Sequence, residues 1–392
     1  MSTHKQSIII VGGGIYGATA ALSLRRRGHD VALFDPGPLP HPDASSTDIS
    51  KMIRMDYGAD EFYMELMEAC FPVWREWNQI WGEDLYHEVG FLIMTPTLMQ
   101  PGGYEYESWR LLQKHGHSVD RIDATTLRER FPAWNADYYI DGYYNPTGGW
   151  AESGAVVARL LAMGRAAGVQ LHEGKTFAQL IETDNRVTGI VTAGGEQHQA
   201  DWVVVAAGAW TPTLLPYLSE VMWAVGQPVV HFKPENPDDY RPPKFMPWSA
   251  DISRTGWYGF PLNKDGILKV GHHAVGRRVH PAEPREVLDE EIDRARQFLR
   301  HTFSPAGDSP VVGTRLCLYC DTWDGNFWID RDPQRPGLIV STGGSGHGFK
   351  FAPQLGEIVA DVLEGRPNRF AERFAWRERR DLLHEDARYM AD

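Results

Sequence analysis

Cysteine is scarce in these 392 residues: Cys70, Cys317 and Cys320 are the only three, too few for a disulfide framework. That scarcity fits a reducing compartment, and the cytoplasm is the expected location. Long apolar runs are missing as well; none approaches the ~20 residues that span a bilayer. The first strand begins almost at the first residue, which leaves no room for a secretory signal. The last residues, Tyr389-Met390-Ala391-Asp392, are not a peroxisomal address of the SKL kind. Positive charge is the minority sign: 39 Lys and Arg stand against 52 Asp and Glu, a net of −13. Nonspecific attraction to nucleic acid or to an anionic membrane is therefore not expected. No internal repeat and no low-complexity tract interrupts the chain. Its length is ample for two domains with cores of their own.

What is present is glycine in a particular order. From Ser7 to Asp35 the chain reads SIIIVGGGIYGATAALSLRRRGHDVALFD. An apolar strand stops at Gly12-Gly13-Gly14-Ile15-Tyr16-Gly17, a helical pattern follows to Gly28, and a second strand closes on an acid. Gly12 permits the tight turn, Gly14 lets a pyrophosphate approach the backbone, and Gly17 allows close packing of helix on strand. The phosphates then meet the helix N-terminus. Asp35, eighteen positions after Gly17, is placed to accept from a ribose, which argues against a 2′-phosphate. A glycine-rich turn in an ordinary α/β core is the competing reading, but the full order of strand, turn, helix, strand and acid favours a dinucleotide.

The rest of the chain divides around this unit. After a turn-rich loop (PGPLPHPDASSTDIS), apolar residues recur every three or four positions from Phe62 to Trp81, predicting a helix with Pro72 as a kink and Cys70 buried. The block from Glu88 to Tyr144 mixes short strands and helices without a glycine fingerprint. A helix is predicted from Trp150 to Gly168, then strands at 169–171, 177–181, 187–191 and 202–205. The last runs into Ala206-Ala207-Gly208-Ala209-Trp210, suited to close approach by a flat ligand. Residues 221–325 are rich in Pro and Trp, with strands at 257–261 and 267–272 and an amphipathic helix at 285–303. The expected domains are discontinuous: 1–87, 146–220 and 326–392 for the dinucleotide, 88–145 and 221–325 for the substrate.

A second glycine loop, Thr342-Gly343-Gly344-Ser345-Gly346-His347-Gly348-Phe349-Lys350, opens a helix predicted from Ala352 to Leu363. Its bare N–H groups and dipole suit the edge of a flavin that gains negative charge on reduction. A solvent turn is the weaker alternative. Cys317-Leu318-Tyr319-Cys320 is a CxxC that could suggest a redox disulfide or half a zinc site. Zinc would need two more ligands, which Cys70 alone does not supply, so no metal is expected; a thioredoxin-like motif would open a helix, yet this stretch reads as a strand.

The pieces GGGIYG, KMIRMDYG, VVVAAGAW, WYGFP, LKVGHH, CLYC and STGGSGHGFKF, in order over nearly the whole chain, resemble the monomeric sarcosine oxidase family of FAD-dependent amine oxidases. They are also similar to its relatives, the N-methyltryptophan, pipecolate and fructosyl amino acid (amadoriase) oxidases. The resemblance implies an α/β, two-domain fold: a glutathione-reductase-like FAD-binding Rossmann domain and a mixed-sheet substrate domain. It implies FAD linked through its 8α carbon to Cys317, with Cys320 where relatives often carry threonine. Arg54 and Lys350 match the clamp on the substrate carboxylate, an anion that Arg grips bidentately and Lys as a point charge. Lys269 matches the lysine that activates dioxygen, and Lys51 stands where sarcosine oxidases carry an arginine close to the flavin. Tyr258, His273, Tyr319 and His347 match pocket positions. The cofactor is expected against Gly12, Gly14, Ile15, Tyr16, Gly17, Asp35, Ser46, Ser50, Lys51, Phe177, Gly208 and Trp210, and against Gly344, Gly346, His347, Gly348, Phe349 and Lys350. Ser46 and Thr47 replace a His pair of the sarcosine oxidases, so SSTDISK looks more like the amadoriases.

The reading that follows is a cytoplasmic, monomeric FAD oxidase of N-substituted amino acids, using dioxygen and yielding hydrogen peroxide, with no nucleic-acid or membrane partner. N-methyl, cyclic imino and fructosyl amino acids all remain candidates. Trp248, Trp257 and Trp323 hint at a bulky or aromatic substrate. A flavin dehydrogenase with another acceptor and a non-catalytic flavin sensor are the alternatives; a nicotinamide dehydrogenase would leave the second glycine loop without a purpose.

Overall fold

The computed structural model describes residues 5–383 and 386–390. Residues 1–4, 384, 385, 391 and 392, part of the first expected domain, lie outside the described residues.

The opening apolar run is a strand, Ser7–Val11, near the middle of a six-stranded sheet. Across that sheet the order is Trp328–Arg331, Leu338–Thr342, Trp202–Val205, Ser7–Val11, Asp30–Asp35 and Gln170–Glu173. Every pairing is parallel except the antiparallel first one. Its central strands are buried along almost their whole length, as a parallel sheet covered on both faces requires. Alternation splits the first strand between two cores. Ile8 and Ile10 pack with the helices Ile15–Arg26, Ser153–Ala167 and Ala352–Glu364. Ile9 and Val11 pack with Val187 and Ile190 of a three-stranded antiparallel sheet spanning residues 177–199.

The second sheet has nine strands, in the order Arg277–Arg278, Met222–Phe232, Leu268–His272, Trp257–Gly259, Trp248–Ala250, Phe91–Thr95, Asp141–Asn145 and Asp120–Arg121, with Val311–Thr322 also paired to Met222–Phe232. It is mixed: Trp248–Ala250 runs parallel to Phe91–Thr95, and its other pairings are antiparallel. Helix Asp289–Thr302 starts four residues later than periodicity predicts, because the Glu291 carboxylate accepts from the Leu288 amide and fixes the first turn there.

A small antiparallel sheet is made of Lys51–Ile53, Gly149–Ala151 and Tyr86–His87. It corrects the expected helix at 150–168: Trp150 pairs with Met52 and His87 as a strand, and the helix begins only at Ser153. Gly148 and Gly149, at φ 145° and 155°, set up that extended entry. Helix Glu61–Trp81 runs from the Asp60 cap to Gly82 and is continuous through Pro72, with Cys70 wholly buried on its inner face.

Candidate active site

The two glycine loops meet. Gly12 sits at φ 105°, and a Cβ there would lie 2.6 Å from the Ala206 carbonyl oxygen; one at Gly17 would collide with the Gly12 carbonyl. The helix that follows has no side-chain cap, and only Ser46, whose Oγ accepts from the Ile15 amide at 3.1 Å, covers its first turn. A Cβ at Gly14 would meet nothing but that Ser46 oxygen, so the space before the helix is open. Tyr16 turns toward the other loop: its hydroxyl would be 2.6 Å from a Cβ on Gly348 and 3.3 Å from one on Gly344. That hydroxyl is buried and has no hydrogen-bond partner among the described residues, as is the Ser50 hydroxyl. Gly346 carries its backbone against the Tyr319 ring.

Asp35 is buried, with one carboxylate oxygen accepting from Gly13 N–H at 2.8 Å and the other from Gly37 N–H at 3.0 Å. Burial raises its pKa while those two amides oppose the shift. Each oxygen keeps a further lone pair for a ribose. Phe177 lies just beyond, where the Lys175 amide donates to the Asp35 carbonyl. Gly208 follows the Trp202–Val205 strand with φ 53°, its carbonyl accepting from Thr342. Trp210 ends the short helical turn Gly208–Trp210, is 37% exposed, and its ring meets that of His280 edge-on.

Beside the loops is a cluster of buried charge. Period-two alternation on Val311–Thr322 puts Cys317, Tyr319 and Asp321 on one face and Cys320 on the other. Cys317 Sγ lies 3.6 Å from Lys51 Nζ. Cys320 packs into the core of the first sheet, where burial pushes its thiol up to about 11. All three cysteines are free. Burial opposes charge on Lys51, yet Cys317 and then Asp48 hold its pKa above the ordinary lysine value. Lys269 is wholly buried; its ammonium is 2.5 Å from Asp48, donates to the Ser50 carbonyl and stands over the Phe260 ring. Burial brings Lys269 down to about 8 against the opposing pull of Asp48. Burial would raise Asp48, but Lys269 and Lys51 hold it well below the carboxylate range.

A cleft adjoins this cluster. It brings together Lys51, Arg54 and Lys350, with Tyr258, His273, Tyr319, His347 and Phe349 on its walls. Burial lifts the Tyr258 phenol to about 12. The neighbouring His272 turns the opposite way, toward the Thr255 carbonyl and the Trp257 ring. Arg54 donates to the Tyr104 hydroxyl at 2.8 Å, and Tyr104 in turn donates to the Asp56 carbonyl at 2.6 Å. Lys350 donates to the Tyr57 hydroxyl at 2.9 Å and to the His347 carbonyl at 2.8 Å. His347 Nε2 faces the Gly325 carbonyl, which only accepts, so in the neutral ring Nδ1 accepts from Tyr57 at 3.0 Å. Lys350, Tyr57 and His347 thus form one chain of hydrogen bonds.

The three tryptophans lie away from the cleft. Trp248 is fully buried in the core against the second sheet, Trp257 stacks on Phe298, and Trp323 belongs to the first sheet's core. None of the three lines the cleft. Sequence reasoning also passed over Asp48, Tyr57 and Tyr104. The first two stand inside SSTDISK and KMIRMDYG, whereas nothing in the sequence marks Tyr104.

Residues 7–362 match the DAO family of FAD dependent oxidoreductases. The chain belongs to this family. As a DAO-family oxidoreductase it is 30% identical to N-methyl-L-tryptophan oxidase of Salmonella dublin over 374 residues, covering 93% of this chain and 96% of that one. It is 28% identical to the monomeric sarcosine oxidase of Bacillus sp. (strain B-0618), over 92% and 93% of the two chains. In three dimensions it is similar to the deglycating fructosamine oxidase (Amadoriase II) of Aspergillus fumigatus, with a TM-score of 0.84, 25% identity and 99% and 94% coverage. The mixed α/β, two-domain FAD-binding fold expected from the sequence is thus the one observed. The residues present fit FAD: two glycine loops frame an open space before a helix, Asp35 waits at the second strand, and the Tyr16 and Ser50 hydroxyls lack partners.

Proposed function

We propose that this DAO-family enzyme oxidises the C–N bond of N-substituted amino acids, secondary amines, to an imine that water hydrolyses, with dioxygen reduced to hydrogen peroxide. The observation that carries the reading is the placement of Arg54 and Lys350, both buried, in one cleft with Lys51, whose ammonium is 3.6 Å from Cys317. Bound FAD would supply the two-electron acceptor and hand the pair on to dioxygen. We assign residues 1–87, 146–220 and 326–392 to holding it and 88–145 with 221–325 to the substrate. Gly12, Gly14, Ile15, Tyr16, Gly17, Asp35, Ser46 and Phe177 would hold its adenosine and phosphates; Ser50, Lys51, Gly208, Gly344, Gly346, Gly348 and Phe349 would hold the ring system. Cys317 is the proposed covalent anchor, being the sulfur on the cleft side of its strand.

Arg54 and Lys350 bind the substrate carboxylate, the first bidentately. Both cations are kept in place by phenols, Tyr104 for Arg54 and Tyr57 for Lys350. In a cleft of low dielectric already lined by cations, the substrate amine loses its proton more readily, and only the neutral amine can give up a hydride equivalent. Tyr258, His273, Tyr319 and His347 shape the cavity around it. Lys269, charged and held by Asp48, stabilises the negative charge that develops as oxygen is reduced.

The relatives support this substrate class through their own names, which specify N-methyl amino acids. The fructosamine oxidase likeness and SSTDISK favour a fructosyl amino acid as the second reading, with a cyclic imino acid third. The free cysteines fit the cytoplasm, where we propose the enzyme acts as a monomer. Among the described residues no helix is long and apolar enough to cross a membrane. The test is a panel of N-methyl, cyclic and fructosyl amino acids assayed for peroxide. Peroxide with one class identifies the substrate. Substrate-dependent reduction of a dye without peroxide would make the enzyme a dehydrogenase, and no response to any amine would leave a flavin sensor.

A further inference from the structure

The segment Ala387–Tyr389 packs behind residues that line the cleft. Arg388 is almost entirely buried, its Nη2 2.7 Å from Asp321, and the two side chains are 3% and 6% exposed. Its Nε donates to the Ala274 carbonyl at 2.9 Å. The Tyr389 amide donates to the His273 carbonyl at 3.0 Å, and Ala274 and Tyr389 form a parallel bridge. Ala387 is wholly buried in a cluster with Tyr104 and Ile252, against which Tyr258 packs. Four of these neighbours belong to the site: Ile252, Tyr258 and His273 line the cleft, and Tyr104 holds Arg54. Asp321 lies on the same strand face as Tyr319 and Cys317.

A buried ion pair of this kind adds little net stability over apolar packing, but either partner left alone in the interior is heavily disfavoured. The pair therefore specifies one position for the segment. We propose that Ala387–Tyr389 back the wall that Ile252, Tyr258 and His273 give the substrate cleft, pinned by Arg388 on Asp321, and that this backed wall limits the size of the substituent the substrate carries. The inference rests on the proposed function for the identity of the substrate. Arg388 and Asp321 are positioning residues: they act through the backbone of Ala387 and Tyr389, and neither takes part in the chemistry.

Two measurements test it. The first needs no turnover: trypsin cleavage after Arg388, followed by mass spectrometry, in the intact protein and in Asp321→Asn. The wall requires slow cleavage that Asp321→Asn accelerates and that N-methylglycine, added without oxygen, slows further in the intact protein. Equal rates in the two proteins overturn it, as does absent protection where N-methylglycine is seen to bleach the flavin. The second uses Asp321→Asn/Arg388→Gln, which leaves no buried charge unpaired; deletion from Asp386 onward makes the same test should that variant not fold. Its kcat/KM for a fructosyl amino acid relative to N-methylglycine should rise about tenfold, the scale on which pocket size discriminates, with flavin reoxidation by oxygen unchanged. An unchanged ratio, with cleavage behaving as required, overturns the size limit alone. If no amine is turned over by either protein, the proposed function fails, and the wall stands or falls on the cleavage result.

Discussion

The Asp48 carboxylate lies 2.5 Å from the Lys269 ammonium, and each side chain is only 1% exposed. Lys51 is 3.7 Å from the same carboxylate, so one anion serves two cations in the interior. This arrangement keeps a lysine charged where burial alone would neutralise it.

Lys269→Met should slow flavin reoxidation by oxygen by about 10²-fold or more, the scale set by losing a preorganised charge. Substrate-driven flavin reduction should change far less. Stopped-flow mixing of reduced enzyme with oxygen separates the two. Because Lys269 titrates at about 8, the oxidative half-reaction should fall as pH rises through that value, and the Met variant should lose this dependence.

Asp48→Asn leaves Lys269 buried without its counter-ion and should destabilise the fold by about 3–5 kcal/mol. Denaturant unfolding measures this. The double variant Asp48→Asn/Lys269→Met should recover part of the loss, since only Lys51 is then left without that carboxylate. The pH sign follows from the same pair. Lys269 has a folded pKa below its unfolded one, so between about 8 and the ordinary lysine value the unfolded chain binds more protons. Its contribution to stability is therefore unfavourable below about 8 and is relieved as pH rises through that window. Asp48 acts at the other end: its depressed pKa stabilises above the ordinary carboxylate value, and that gain is lost as pH falls through the folded one.

Arg54→Gln should raise KM for the amino acid substrate by about tenfold to a hundredfold, the equivalent of one charge-assisted hydrogen bond of about 1.5–3 kcal/mol. Tyr104→Phe, which removes the oxygen that receives Arg54, should produce a smaller rise in the same direction. Steady-state kinetics on the best amine of the panel gives both.

Cys317→Ser should yield flavin that washes out of an acid-precipitated pellet, whereas Cys320→Ser should keep it yellow. The reverse result would move the link to a thiol that faces the first sheet's core.

The backbone rules made the glycine loops legible. A strand that breaks at Gly12 and a helix pressed close at Gly17 leave few alternatives in the order in which they occur. Residue pairings were harder to read, because neighbours in space are distant in sequence. Tyr104 joins Arg54 across 50 positions, and Lys269, on a strand of the second sheet, finds Asp48 in the loop before Lys51. Composition misled on tryptophan: a large ring fills a core or lines a cleft equally well, and Trp248 fills a core. Trp150 misled differently, since an apolar run ahead of a helix reads as its first turn until cross-strand partners claim its backbone.

The most direct measurement is anaerobic titration of the purified enzyme with the N-methyl, cyclic and fructosyl amino acids, followed in the flavin absorption band. The account predicts that at least one of them bleaches the band, and that readmitted oxygen restores it with one hydrogen peroxide per flavin. A band unmoved by every amine, or protein that neither carries nor takes up FAD, would contradict it.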